Sequence, residues 1–503
     1  MANNHLKMLF RDAAKLTKQG KLKEAIEHYE HILHHDSLNS RALFALGNVA
    51  KRLGSFELAE TMFRATLDIE PTSIEAANNL GVLLHELGRD DEAVEIYKHT
   101  LTLEPESVET WVNLGVAVAA DGDMENAEKF YTEALRLKPT SIAALANMAE
   151  VKATLGEFEQ SNQFLEKAIK RDKSNSQLHH NRGQNLLTMG KLDEGWAEND
   201  YRLKPNHPKA IKYEHKLKRW HGEDLSGKKI LVSAEQGIGD QILFSSCLAD
   251  LISKAEHVVV EVEPRLVSLF ARSFPKAEIK PYELQAEGGV KTFKYGWDVK
   301  GLDYAIPQMS IYRYLRADIA DFANDGASLL VDTDLATLWA KRVASAATGL
   351  KIGLCWSGRR NNKARIKQYS SLDQWGKILS QKGVSFFNLM YENCADEISE
   401  AEAEFKTKII TFDDLDYKDD IEGVAALTAE MDVVISAPSA PAIIAAGVGV
   451  ETIVLYSGVG WLNLGTDHVP FNSNITALTN ASSGDWTGTI DKAAAIVAER
   501  AKV

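Results

Sequence analysis

Small, aromatic and polar positions recur through the first ~200 residues with a period of 34. Gly20, Gly54, Gly88, Gly122, Gly156 and Gly190 mark the step most clearly. Ala25, Ala59, Ala93 and Ala127 keep it too, with Ser161 and Gly195 at the equivalent later places. Aromatic residues follow four positions on as Tyr29, Phe63, Tyr97 and Tyr131, and prolines recur as Pro71, Pro105 and Pro139. Each period predicts a pair of helices. The glycine turns the chain after the first helix, the alanine lets the two helices approach, and the proline separates one pair from the next. A pair that cannot bury its apolar face alone must stack on its neighbours, so residues 1–203 predict an α-solenoid of six repeats with a concave groove.

Beyond Leu203 the period stops. The stretch 204–228 is basic and polar and predicts a linker. Short apolar runs then alternate with helical patterns: a strand at 229–234, a helix at 241–253, a strand at 258–262, a helix at 264–274 and a strand near 278. A second set follows, with a strand at 351–356, a helix at 371–381 and strands at 384–389 and 408–412. A helix at 421–429, a strand at 431–436, a helix at 440–447 and a strand at 451–456 complete it. Such alternation predicts parallel sheets flanked by helices. The expected arrangement is two doubly wound domains, 229–345 and 346–503, facing a cleft. Ligands in open sheets of this kind bind beyond the carboxyl ends of the strands.

Composition narrows the function. With 45% hydrophobic and 25% charged residues the chain is globular, and its formal net charge of −14 argues against general nucleic-acid binding. Cys247, Cys355 and Cys394 have neither metal-ligand spacing nor a disulfide pattern, so buried thiols in a reducing compartment are expected. No signal peptide or membrane-spanning run is read in the sequence, which predicts a cytoplasmic protein without membrane insertion. No metal site is expected.

The candidate chemistry sits in loops at strand ends. In the first, Glu235-Gln236-Gly237-Ile238-Gly239-Asp240-Gln241, the glycines allow close approach to a ligand, and Asp240 is either a functional carboxylate or a helix cap. The second, 356–367, holds five cationic residues in nine, among them Arg359, Arg365 and Lys367, after Ser357. It suits a phosphate or diphosphate leaving group, and the alternative is a solvated loop. Ser436 and Ser439 open a helix where an anion could sit, or form a plain turn. Trp461 could wall a base or sugar or be core, and Tyr391 could face the same cleft or pack. In the solenoid, Asn79, Asn113, Asn147 and Asn181 also step by 34. Carboxamides pair with a peptide backbone in both directions, so this row predicts the binding of a polypeptide chain, against a local packing role.

The 34-residue period with these offsets marks the tetratricopeptide repeat, and the asparagine row resembles the ladder with which eukaryotic O-GlcNAc transferase grips polypeptides. Further motifs continue the likeness: W-x-G-E-D-L-x-G-K at 220–228, E-Q-G-I-G-D at 235–240, G-L-C-W-S-G-R at 353–359, N-L-M-Y-E-N-C at 388–394, V-V-I-S-A-P-S-A at 433–440 and W-L-N-L-G-T-D at 461–467. Together they resemble bacterial tetratricopeptide-containing glycosyltransferases related to the heptosyltransferases, with a GT-B pair of Rossmann-like domains. The likeness is nearest to the subgroup that glycosylates flagellin.

That resemblance implies metal-independent transfer of a sugar to Ser or Thr of a protein, with flagellin as acceptor and a CMP-linked nonulosonic acid such as pseudaminic acid as nucleotide-sugar donor. Asp240 would be the general base. Gly237, Gly239, Gln241, Ser357, Arg359, Arg365, Lys367, Tyr391, Ser436, Ser439 and Trp461 would bind the donor, with the cations neutralising the departing phosphate. One departure stands out. The D-T-x-x-x-H pattern of the heptosyltransferases is replaced, with Pro438, Ser439 and Ile443 at its positions. A lipid or polysaccharide acceptor, or a non-catalytic scaffold, are the alternatives.

Overall fold

The computed structural model describes residues 2–235, 237–287, 290–322, 328–358, 369–458, 460–480 and 484–502. The chain falls into two compact units, Met1–Lys173 and Ser174–Val503.

The first unit is ten helices in five pairs, from Ala2–Lys18 to Phe158–Arg171. Its periodic residues each have a mechanical reason. Gly20, Gly54, Gly88, Gly122 and Gly156 adopt φ between +76 and +96 or, for Gly88, +70, the left-handed turn that closes the first helix of each pair. Ala25, Ala59, Ala93 and Ala127 are fully buried between helices. A Cβ placed on Gly47, Gly81 or Gly115 would come within 2.7, 2.4 and 2.4 Å of the rings of Phe63, Tyr97 and Tyr131. Helix one of a pair thus lacks a side chain where helix two inserts its aromatic ring. Asn39, Ser73, Ser107 and Ser141 cap successive first helices by accepting the amide three residues on.

The second unit opens with one more helix pair, Ser176–Thr188 and Leu192–Asn199. This sixth repeat shares a continuous apolar core with the α/β body, through Leu187, Leu192 and Trp196. The stretch expected to be a plain linker supplies β1 (Ile211–Tyr213) and β2 (Lys218–Arg219). Next come β3 (Lys229–Ser233), β4 (His257–Val262), β5 (Glu278–Pro281), β6 (Glu283–Glu287), β7 (Val290–Lys294) and β8 (Tyr304–Pro307). A five-stranded sheet has the order β2-β8-β3-β4-β5 with every pairing parallel. The strands β1, β7 and β6 form a separate ribbon whose last pair is antiparallel.

The C-terminal half adds β9 (Leu350–Cys355), β10 (Val384–Asn388), β11 (Ile409–Ile410), β12 (Val433–Ser436), β13 (Glu451–Tyr456) and β14 (Ile475–Thr479). They build a six-stranded, wholly parallel sheet in the order β11-β10-β9-β12-β13-β14. The helices expected at 421–429 and 440–447 form over those residues. The helix Ala395–Phe405 and the final Thr487–Arg500 were not anticipated by the apolar pattern. Each sheet reverses its strand order once, between β8 and β3 and between β9 and β12.

Candidate functional site

The two reversal points face each other. The loop after β3 enters helix Ile238–Leu243, and the loop after β12 enters helix Ala440–Gly447. A Cβ on Gly239 would lie 3.6 Å from Cα of Ala440 and 3.7 Å from the Ile443 side chain, so the two helix starts are separated by little more than the width of a methyl group. A bulkier residue at position 239 would push against the start of the opposing helix.

Asp240 stands at this junction and is exposed. It is not the N-cap, which is Gly237. Instead its carboxylate accepts the Gly237 amide, and a Cβ on Gly237 would sit 2.9 Å from Oδ2. Water reaches Asp240 while protein crowds it from behind. That crowding, together with the nearby Glu235 carboxylate, raises its pKa to about 6 against the pull of Arg202 and the Gly237 amide. A carboxylate poised in this range is suited to accept a proton near neutral pH.

The loop that carries Asp240 is fastened on several sides. Gln241 is fully buried; its amide nitrogen donates to the Glu235 carbonyl at 2.7 Å, and its oxygen accepts the Glu263 amide at 2.8 Å. It therefore shapes the loop from inside, whereas the sequence had suggested contact with a donor. Buried Glu235 accepts from Arg202 at 3.0 Å and from the Met309 amide at 3.0 Å. Arg202 also bridges to Asp200 at 3.2 Å, and Asp200 in turn holds Arg219 at 2.7 Å, Arg313 at 3.3 Å and Ser310 at 2.6 Å. Burial works against the Asp200 charge, but Arg202 and Arg219 outweigh it and keep its pKa below the ordinary value. This network, from the sixth repeat to the Asp240 loop, gave no sequence motif, because its members are scattered from 200 to 313.

On the opposite side, Cys355, Trp356 and Ser357 leave β9 buried. Trp356 anchors the turn by donating to Glu397 at 2.6 Å. Ser436 is also fully buried, and its hydroxyl donates inward to the Ala437 carbonyl at 2.7 Å and lies 3.0 Å from Ser439 Oγ. Ser439, half-buried, is the more exposed of the two hydroxyls and the N-cap of Ala440–Gly447, with no side-chain cap bond. Tyr391 lines a 500 Å³ cavity at the ends of β10 and β11, with Asn388, Glu392, Asn393, Asp413 and Asp416. Carboxylates and carboxamides of this kind suit the N–H and hydroxyl groups of a base or ribose rather than a phosphate. Arg359, Arg365 and Lys367 lie outside the described residues.

Trp461 belongs to an aromatic cluster with Phe244 (6.2 Å between centroids), Trp196 (6.2 Å) and Phe471 (6.1 Å). The structure accounts for it as a packing residue. Its loop also meets the sixth repeat where a Cβ on Gly465 would lie 2.7 Å from the Gly190 nitrogen.

The four ladder asparagines are half-buried. In the first unit Asn79 donates to the Glu75 carbonyl at 3.0 Å, and the Asn113 side-chain nitrogen is buried without a partner. In the second unit Asn181 accepts from Gln177 at 2.6 Å. Among the described residues no group of three His, Cys, Asp or Glu could hold a metal ion, and no helix is long and apolar enough to cross a membrane.

Comparison with known proteins supports the repeats directly. Tetratricopeptide repeat models match residues 16–74, 45–106 and 118–187. Protein FlbA of Caulobacter vibrioides is 31% identical over 316 residues, covering 61% of this chain and 53% of that protein. The chain thus spans about half the length of the curated relative it matches. Among solved structures, the type IV pilus biogenesis factor PilW shares 21% identity at a TM-score of 0.37, covering 40% of this chain and 94% of its own. Pseudomonas aeruginosa PilF shares 19% at a TM-score of 0.36, covering 41% and 94%. The solenoid is thus built of tetratricopeptide repeats, and a parallel-sheet α/β region follows it.

Proposed function

We propose that this protein is a metal-independent glycosyltransferase of GT-B type that moves a sugar from a nucleotide donor to a Ser or Thr hydroxyl of a protein. The observation that supports the reading best is the meeting of two parallel-sheet reversal points with one exposed, pKa-raised carboxylate between them. In this reading the 500 Å³ cavity beside Tyr391 takes the base and ribose, and the helix opened by Ser439 faces the phosphate. Asp240 takes the proton of the acceptor hydroxyl as its oxygen attacks the anomeric carbon. The bond from that carbon to the phosphate oxygen breaks, and the nucleotide leaves with the electron pair.

The repeats recruit the acceptor polypeptide in this scheme, and their asparagines hold its backbone. By the resemblance of the loop motifs, flagellin is the proposed acceptor, a CMP-linked nonulosonic acid the proposed donor, and the cytoplasm the proposed site of action. Thermal unfolding with CMP, UDP, GDP and ADP tests the reading first. The nucleotide of the donor, at about 100 times its dissociation constant, should add roughly 2.7 kcal/mol to the unit that binds it. A shift with CMP alone supports the nonulosonic donor, and a UDP or GDP shift replaces it with a hexose donor. No shift with any nucleotide into the millimolar range would refute the transferase.

A further inference from the structure

Ala234 is the first residue of the Asp240 loop to leave β3, and two buried side chains hold its peptide groups. Glu261 Oε2 accepts its amide at 3.2 Å, and the Tyr213 hydroxyl donates to its carbonyl at 3.0 Å. Glu261 lies on β4 beside Ser233, one step beyond the paired Val232 and Val260, and is fully buried. Its other oxygen, Oε1, is buried with no hydrogen-bond partner. A further buried polar atom without a partner, Nδ1 of His215, lies in the same region, and the Tyr295 hydroxyl meets the His215 backbone there. His215 reaches Ser233 Oγ at 3.1 Å through Nε2, and its ring centre lies 5.8 Å from that of Tyr295.

A buried carboxylate with one amide bond and no cation is the costliest state such a group can adopt, whereas the acid form is neutral and gains a donor. The titratable groups facing it are Tyr213 from β1, Tyr282 beyond β5 and Tyr295 beyond β7, with His215 beside Ser233, and the cation near Tyr213, Arg202, is paired with Glu235 and Asp200. Burial raises the Glu261 pKa to about 8, opposed only by the Ala234 amide, and lowers that of His215 to about 4.

We propose that Glu261 is a positioning residue of the Asp240 loop, a carboxylic acid that fixes the Ala234 amide through one oxygen and carries its proton on the other, in the buried region it shares with Tyr213 and Tyr295. The role rests on Asp240 being the working carboxylate, but the placement of the loop can be read without any transfer assay.

Glu261→Gln keeps an acceptor and a donor in the same shape, while Glu261→Leu removes both. Infrared difference spectra of wild type against Glu261→Gln at pH 7 should show a protonated-carboxyl band only in the wild type. Hydrogen exchange over 238–243 should stay within about twofold of wild type in Glu261→Gln and accelerate at least tenfold in Glu261→Leu, with strand 433–436 unchanged as control. Where a transfer assay exists, kcat should fall in the Leu variant and not in the Gln variant, at unchanged donor KM. Absence of the protonated-carboxyl band overturns the proposal. So does a Gln variant that loosens the loop as much as Leu, or a Leu variant that leaves it untouched. The infrared and hydrogen-exchange outcomes do not depend on whether the protein is a transferase.

Discussion

Gly465→Ala should detach the sixth repeat from the loop that follows β13, and its cost can be worked out in two parts. Gly465 sits at φ +78, where an L-residue loses roughly 1–2 kcal/mol. Its new Cβ would also come within 2.7 Å of the Gly190 nitrogen, 2.9 Å of its Cα and 3.0 Å of the Met189 carbonyl carbon. These are backbone atoms with no rotamer to give way, so the overpacking adds about 1–3 kcal/mol. Gly458→Ala is the control, since its φ is +84 and a Cβ there meets nothing within 4 Å. It should show the backbone cost alone. Urea unfolding followed by tryptophan fluorescence suits both, because Trp196 and Trp461 flank the contact. The midpoint should fall further for Gly465→Ala, by the equivalent of about 1–3 kcal/mol. Equal losses in the two variants would refute the packing argument.

Four further outcomes are expected. Asp240→Asn should keep the fold and nucleotide binding while lowering transfer by about 10²–10⁴, and the wild-type rate should rise with pH through about 6 where the variant's does not. A wild-type profile flat from pH 5 to 8 would exclude Asp240 as the base. Arg202→Met strands buried Glu235 beside Asp200, and should cost about 3 kcal/mol in denaturant unfolding; a double variant with Glu235→Gln should lose less than the sum of the two singles. Replacing Asn79, Asn113 and Asn147 by Ala together should weaken acceptor binding by about tenfold or more in a titration, each carboxamide contributing roughly 0.5–1.5 kcal/mol, and unchanged affinity would remove the ladder. Glu261 has a folded pKa raised above its unfolded value, so the native state binds the extra proton: its stabilising effect is full below the unfolded pKa and is lost as pH rises toward about 8. Unfolding free energy should therefore fall between pH 7 and 8 by at most about 1.4 kcal/mol from this group, and Glu261→Gln should abolish that decline.

The repeats were legible because their constraints are local and copied. A ring such as Tyr97 demands a glycine such as Gly81 at a fixed offset, and a 34-residue period displays that demand several times. The central strands and the helices at 421–429 and 440–447 were legible for a related reason, since buried apolar runs with clear ends leave little choice. Strands β1 and β2 were hidden in a polar stretch because edge strands bury little of themselves, and pair through backbone groups that no side chain announces. Glu235 and Gln241 were visible as loop residues, but their inward direction was not, because it depends on Arg202, Glu263 and Met309 arriving from elsewhere. Ser436 illustrates the same limit: its hydroxyl follows the turn and points back to Ala437. Glu261 read as one polar residue within a valine-rich strand, and only the neighbours brought by the ribbon give it a role.

The sixth helix pair, with its core joined to the α/β body, also decides where this chain can be cut or lengthened. Removing residues 1–203 as one module would take Trp196, Asp200 and Arg202 with it and leave an apolar wound and an unanswered Glu235. A division after Lys173 keeps all of these together. Copies of the repeat can therefore be gained or lost by recombination ahead of residue 174 while the last pair stays fixed. The number of repeats is then free to vary without disturbing the residues that hold the Asp240 loop.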